Sequence, residues 1–81
     1  MSHNYRRQAW QACQQEIGEQ IRNMRLELDL PPQIAAELLH IGLNQLLYLE
    51  SGYIGKMQIT VLHALAYKYN YKLKISFEKK T

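Results

Sequence analysis

Apolar residues recur at three- and four-residue steps through the first third of the chain, which is the spacing of one face of a helix. The members of this stripe are Trp10, Cys13, Ile17, Ile21, Met24 and Leu28. The stripe predicts a helix running roughly from Tyr5 to Leu28. Gly18 lies within it, and a glycine inside a helix costs about 1 kcal/mol relative to alanine. We therefore expect a break or kink at Gly18, separating a Gln-rich arm from a core helix over 19–28.

Two short helices joined by a tight turn are predicted between Pro32 and Tyr53. The apolar positions of this segment are Ile34, Ala36, Leu39, Ile41, Leu46 and Leu49. Helix two should begin at Pro32, because proline suits a first helical position and disfavours helix in the residue before it. It should end at Leu39. Helix three should span 42–51, with Gly52 as its C-terminal stop. The pattern is that of a helix-turn-helix.

The hydrophobic period changes near the C-terminus. A fourth amphipathic helix is predicted from Ile59 to near Asn70, followed by eight residues of strict alternation. The apolar members of this alternation are Tyr71, Leu73, Ile75 and Phe77. They predict a β-strand, and a lone strand needs a partner. The economical partner is the same strand of a second copy across a twofold axis, so these four residues are the predicted homodimer interface.

Length and composition limit the organisation to one small domain. The chain has 81 residues, 47% of them hydrophobic, and so short a chain buries a modest core that dimerisation would supplement. We divide it into an N-terminal helical arm (1–15), a helix-turn-helix domain (16–70) and a C-terminal dimerisation strand with a basic tail (71–81). No apolar run of about 18 residues and no signal-peptide core is present, so we expect a cytoplasmic protein without a membrane segment.

The reactive side chains give no sign of catalysis. The single Cys13 cannot form an internal disulfide and has no ligand-spaced Cys or His near it, so no metal site and no cofactor are predicted. His40 and His63 have no Ser, Cys or Asp at a spacing that suggests a catalytic triad. We therefore expect no catalytic residues and a protein that is not an enzyme.

Positive charge flanks the middle of the chain. The net charge is +3, yet no Lys or Arg occurs from Gln33 to Gly55, where Glu37 and Glu50 are acidic. The basic residues outside that stretch are Arg6, Arg7, Arg22, Arg25, Lys56, Lys68, Lys72, Lys74, Lys79 and Lys80. Any positive field must therefore be assembled by folding. The set is either a solvated surface or a rim that faces phosphate.

Over Ile17 to Tyr71 the chain resembles the Cro/C1-type helix-turn-helix family, also called the Xre family. The resemblance rests on Ile-Arg-Asn-Met-Arg at 21–25, Leu30, Ala36, Leu39, Ile41, Leu46 and Leu-Glu-Ser-Gly at 49–52. It implies a mainly α domain of four to five helices. It also implies a buried ion pair between Arg25 and Glu50 that ties helix one to the end of the recognition helix. Residues 57–80 resemble the Hip-type antitoxins, dimers in which two C-terminal strands pair.

Carried over position by position, the resemblance implies a set of contacts to double-stranded DNA. They are Pro31, Pro32 and Gln33 at the start of helix two, Leu43, Asn44, Gln45, Leu47 and Tyr48 of helix three, and Lys56 in the following loop. Three features depart from the family pattern. Pro31 and Pro32 have no amide hydrogen to offer a phosphate. His40 replaces the usual turn glycine, so it must adopt a left-handed backbone or shift the turn toward Gly42.

The third departure is that leucines replace the expected polar base readers at 43 and 47, and it leaves two functions open. One is a homodimeric DNA-binding transcriptional regulator, a repressor, antitoxin or operon autoregulator with helix 42–51 in the major groove. The other is an antiactivator-like module that binds a protein, such as a toxin or an activator, through Leu43, Leu47 and Tyr48. The tyrosines Tyr67, Tyr69 and Tyr71 could stack on bases, but their position favours core and dimer packing.

Overall fold

The computed structural model describes residues 2–55 and 59–80, with side chains from residue 7 onward. It contains four helices in the described ranges, α1 (Ser2–Glu27), α2 (Pro32–Leu39), α3 (Leu43–Glu50) and α4 (Ile59–Lys68). The mainly α class is therefore confirmed. A helix of this length rises about 39 Å, so α1 accounts for most of the 43 Å long dimension of the molecule. Lys56 lies outside the described residues.

The core lies where α3 packs between α1 and α2, with α4 closing it against α2. Its buried members are Ile21, Ala35, Ala36, Leu39, Leu46, Leu49, Ile54, Leu65 and Tyr69. Leu46 and Tyr69 are fully buried and are the largest such side chains. Full burial of a leucine side chain contributes about 1.5–3 kcal/mol, so the inward side of α3 is anchored while its outward side stays free.

Helix α1 is uninterrupted at Gly18, so the predicted break there is wrong. A Cβ added at Gly18 would lie 2.7 Å from the backbone nitrogen of Gly52 and 2.7 Å from the carbonyl oxygen of Leu49. Glycine is needed because α1 packs directly on the backbone at the end of α3. The packing requirement exceeds the cost of a glycine within a helix, about 1 kcal/mol.

The connection between α2 and α3 is a three-residue turn, 40–42, built around His40. His40 has φ 58° and ψ 43°, the left-handed conformation, whereas Gly42 is extended with φ −71°. Of the two alternatives, His40 therefore adopts the strained backbone itself and the turn does not shift. Lys68 on α4 donates a hydrogen bond from Nζ to the carbonyl oxygen of Leu39 at 3.5 Å. This cation lies at the C-terminus of α2, where a positive charge is favourable.

Residues 71–80 follow a firm end to α4. Asn70 is left-handed with φ 65°, and the Tyr71 N–H donates to the Ala66 carbonyl at 2.7 Å. The segment beyond has no helix or strand assignment, and its side chains are exposed apart from the half-buried Leu73. A strand assignment requires hydrogen bonds to a second strand, and this segment meets none among the described residues. The dimerisation strand therefore remains a prediction.

Adding a methyl group at Gly18 should loosen the contact between α1 and α3. We expect Gly18→Ala to lower the free energy of unfolding by about 1–3 kcal/mol, the usual cost of overpacking, although alanine favours helix. Gly42→Ala is the matched control, because nothing lies within 4 Å of its added Cβ; it should change stability by less than about 1 kcal/mol. Urea denaturation followed by circular dichroism measures both. Equal stability of Gly18→Ala and the wild type would contradict the close approach.

Candidate functional site

The outward face of α3 is supported from below by a buried ion pair. Arg25 Nε donates to Glu50 Oε2 at 2.7 Å, and Arg25 Nη2 donates to Glu50 Oε1 at 3.1 Å. The third nitrogen, Nη1, donates to the Leu30 carbonyl oxygen at 2.9 Å. The two side chains are only 8% and 5% exposed. The structure thus brings together the two residues that the resemblance paired, in the bidentate geometry that is strong for arginine and carboxylate.

This geometry uses the Arg25 guanidinium within the fold. The hydrogen bond that Arg25 donates to Glu50 raises the pKa of Arg25 above its ordinary value, and this effect exceeds that of burial, which lowers the pKa. The guanidinium is therefore charged at every pH at which the protein is handled. All three of its nitrogens have partners within the chain, so Arg25 is not available for a phosphate or a base.

Tyr69 joins α4 to the same cluster. Its side chain is 0% exposed, and its hydroxyl has no hydrogen-bond partner in the described part of the chain. Burial raises the pKa of Tyr69, and the negative charge of Glu50 raises it further, while Arg25 acts in the opposite direction. Of the three tyrosines considered for stacking, Tyr69 is thus a core residue. Tyr67 is 77% exposed and Tyr71 is 40% exposed.

The residues of α3 assigned to DNA contact all lie on its exposed side. Leu43 is 40% exposed, Leu47 41% and Tyr48 60%, and Asn44 and Gln45 are exposed as well. Gln33, at the start of α2, is also exposed. The face therefore presents two amides, two leucines and one tyrosine without any charged group.

An aromatic pair forms one edge of this face. The rings of Tyr48 and Tyr53 meet edge to face, with centroids 5.9 Å apart and an interplanar angle of 88°, an arrangement that aromatic rings prefer. A shallow groove beside the pair is lined by Gln45, Tyr48, Leu49, Tyr53, Ile54 and Val61. Val61 was missed by sequence reasoning because it comes from α4, and no local pattern indicates which loop residues α4 approaches.

The helix N-termini determine which backbone amides are available. In α3 the first hydrogen bond runs from the Leu46 N–H to the Gly42 carbonyl oxygen at 3.0 Å, and no side chain caps the helix. The amides of 43–45 therefore precede the hydrogen-bonded turns. In α2 the corresponding bond runs from Ala35 to Pro31, and the two prolines contribute no amide hydrogen. The N-terminus of α3 therefore offers more backbone N–H groups to a ligand than the N-terminus of α2 does.

The predicted dimer residues lie at another part of the molecule. Tyr71, Leu73 and Ile75 line an open groove together with α1 and α4 residues, among them Met24 and Leu65. Phe77 is 97% exposed and Ile75 is 56% exposed. Ile75 and Phe77 thus present apolar surface that the described part of the chain leaves exposed.

Other chemistry is sparse in the described part of the chain. No group of three His, Cys, Asp or Glu side chains there could hold a metal ion, and Cys13 is an exposed free thiol. None of the helices in the described ranges is long and apolar enough to cross a membrane.

Comparisons with protein-family models, with curated proteins and with solved structures found no match to this chain. The geometry of α3 and the residues quoted for the Cro/C1 resemblance are therefore the basis for a functional proposal.

Removing one member of the ion pair should destabilise the fold strongly. Glu50→Ala leaves a buried, unpaired guanidinium, and such a change costs about 3–5 kcal/mol. Glu37→Ala is the control, because Glu37 is exposed on α2 and surface substitutions usually change stability by less than about 0.5 kcal/mol. Thermal unfolding compares the two. A melting temperature of Glu50→Ala equal to that of Glu37→Ala would show that the pair is not needed.

The raised pKa of Tyr69 predicts a loss of stability at high pH. The pKa of Tyr69 is higher in the folded chain than in the unfolded chain. Its contribution to the free energy of unfolding is therefore fully present below about pH 10 and is lost as the pH rises through the folded pKa. We expect Tyr69→Phe to remove this dependence, and to leave stability near neutral pH unchanged or higher, since the hydroxyl is unpartnered. Tyr67→Phe, on an exposed tyrosine, is the control. The same alkaline profile in wild type and Tyr69→Phe would contradict the assignment.

Proposed function

We propose that this protein is a homodimeric transcriptional regulator with a Cro/C1-type helix-turn-helix, in which α3 is the recognition helix. The main support is the exposed face of α3, which carries Asn44, Gln45 and Tyr48 outward while Leu46 and Leu49 anchor the opposite side. Amide side chains in such a position can hydrogen-bond to base edges.

The dimensions and rigidity of α3 suit this role. A helix with its side chains is about 10–12 Å in diameter, which fits a major groove about 12 Å wide, and the eight residues of α3 would extend about 12 Å along it. The bidentate bond between Arg25 and Glu50 holds the C-terminal end of α3 against α1. A recognition element gains affinity when its position is fixed before binding, because less ordering is required in the complex.

Dimerisation would place two such helices on one duplex. In this proposal the tails pair as antiparallel strands through Tyr71, Leu73, Ile75 and Phe77. The exposure of Ile75 and Phe77 supports it, because exposed large apolar side chains are typical of an interaction surface. Two recognition helices about 34 Å apart would then meet successive major grooves on one side of the DNA.

A protein-interaction module is the second candidate, and specific observations favour it too. The exposed face of α3 adjoins Tyr53, which is 73% exposed, and the chain has no Lys or Arg from Gln33 to Gly55. In this alternative Leu43, Leu47 and Tyr48 would bind a toxin or an activator. Salt separates the candidates, since phosphate contacts weaken steeply with salt whereas an apolar interface does not.

Substitutions on α3 test DNA binding directly. Asn44→Ala and Tyr48→Ala should each weaken binding to duplexes selected from a random pool by about 1–3 kcal/mol, without loss of fold. Gln11→Ala is the control, because Gln11 is an exposed amide on α1 that lies outside both α3 and the groove beside the tail. Lys56→Ala should instead weaken binding to all duplexes alike and flatten the salt dependence. Electrophoretic mobility shift and fluorescence anisotropy give these affinities.

Absence of duplex binding by the wild type at about 50 mM salt would contradict the regulator proposal. The leucine face would then be the surface to examine. Leu43→Glu and Leu47→Glu would be compared with the wild type for loss of a protein recovered from cell extract.

The tail tests the dimer. Truncation after Asn70 removes the apolar residues of the predicted strand, so the shortened chain should sediment as a monomer or aggregate. Phe77→Lys is a milder change at a 97% exposed position, and it should weaken the dimer without unfolding the helices. Sedimentation of both variants as the wild-type dimer would place the interface elsewhere, with the Trp10 and Cys13 arm as the next region to test.

A further inference from the structure

The exposed face of α3 combines two kinds of side chain in adjacent rows. Residues four apart on a helix lie on the same side, so Leu43 and Leu47 form an apolar row, next to the row of Asn44 and Tyr48. We propose, on the basis of the proposed function, that α3 reads a half-site composed of A·T base pairs, with the amides on adenine and the leucines on the methyl groups of thymine.

Guanine is disfavoured because its N7 and O6 are both acceptors, and reading them together requires donors that reach both atoms at once, whereas an Asn or Gln amide presents a donor beside an acceptor. Arginine and lysine meet this requirement, and neither occurs from Gln33 to Gly55. Arg25 hydrogen-bonds directly to the last residue of α3, but it is 6% exposed and its three nitrogens are bonded to Glu50 and Leu30. The guanidinium that could read guanine is thus engaged in the fold.

Cytosine is disfavoured by the same ion pair. Its N4 amino group is a donor and calls for a carboxylate acceptor. Glu50 is the carboxylate of α3, and both of its oxygens accept hydrogen bonds from Arg25. A single buried pair therefore engages both the arginine that is bonded to α3 and the one carboxylate of α3, so neither is available to read a G·C pair.

Adenine and thymine match the groups that remain. An Asn or Gln amide offers one donor and one acceptor, which complement N7 and N6 of adenine, and an apolar side chain can contact the C5-methyl group of thymine. Asn44 and Gln45 are exposed, and Leu43 and Leu47 are 40% and 41% exposed. Tyr48 packs edge to face against Tyr53 at the border of this face, and it is 60% exposed, so its hydroxyl can hydrogen-bond to phosphate or to a base edge beside the amides.

The first experiment identifies the half-site. The full-length wild-type protein selects duplexes from a random pool at about 50 mM salt, and the selected half-sites should consist mainly of A·T pairs. Half-sites that centre on guanine would overturn the inference while leaving the regulator proposal intact. If no duplex is selected, the regulator proposal fails, and the inference falls with it.

The second experiment removes only the thymine methyl. Replacing thymine by uracil in the selected half-site should weaken binding by about fourfold for each contacted methyl group. Leu43→Ala and Leu47→Ala should each reduce this uracil effect. Leu26→Ala is the matched control, because Leu26 is 48% exposed on α1, and it should keep the full effect.

Two results of the second experiment would contradict the inference that α3 reads A·T pairs and would leave the regulator proposal intact. One is equal affinity of the wild type for the thymine and uracil duplexes. The other is an unchanged uracil effect in both leucine variants, with circular dichroism showing that each is folded.

Discussion

The buried ion pair between Arg25 and Glu50 is the constraint on which the arrangement of the helices depends. Its hydrogen bonds connect α1, the connection at Leu30 and the last residue of α3. A buried pair adds little net stability compared with apolar residues, but separating its members is costly. Alternative packings of α3 would leave a charge unpaired, so the pair selects one arrangement. Gly18 complements it, since the backbone of α3 can approach α1 only where a side chain is absent.

Local patterns predicted α2 and α3 closely because their boundaries have chemical signals, whereas α1 begins at Ser2 rather than Tyr5 and α4 ends at Lys68 rather than near Asn70. Pro32 opens α2, and Gly52 follows α3 with φ 94°, so these ends agree with the observed ones to within a residue. The error at Gly18 has a physical reason. Helix propensity treats glycine as a local cost, whereas this glycine is required by a contact with residues more than thirty positions away. A single sequence carries no local signal for that contact.

The candidate site was predictable only in part, for a similar reason. Residues 43–45, 47 and 48 were assigned to one outward side by the resemblance to the Cro/C1-type family and not by the order of apolar and polar residues in α3, and their exposure agrees with that assignment. It did not indicate that Val61 of α4 would border the same face. A pattern in the sequence also could not show that Nη1 of Arg25 donates to the Leu30 carbonyl oxygen, because a backbone carbonyl has no signature in the sequence.

The distribution of charge connects the fold to the proposed recognition. A typical recognition helix gains affinity and guanine specificity from cationic side chains. Here Arg25, which is bonded to α3, is buried in an ion pair with Glu50. Lys68 of α4 donates its hydrogen bond to the carbonyl oxygen of the last residue of α2. Cations that neutralise phosphate would therefore come from outside the α2–α3 unit, including the exposed Arg22 and Lys72. In such an arrangement the non-specific attraction is modest, and discrimination depends on amide and methyl contacts that are lost when the sequence is wrong.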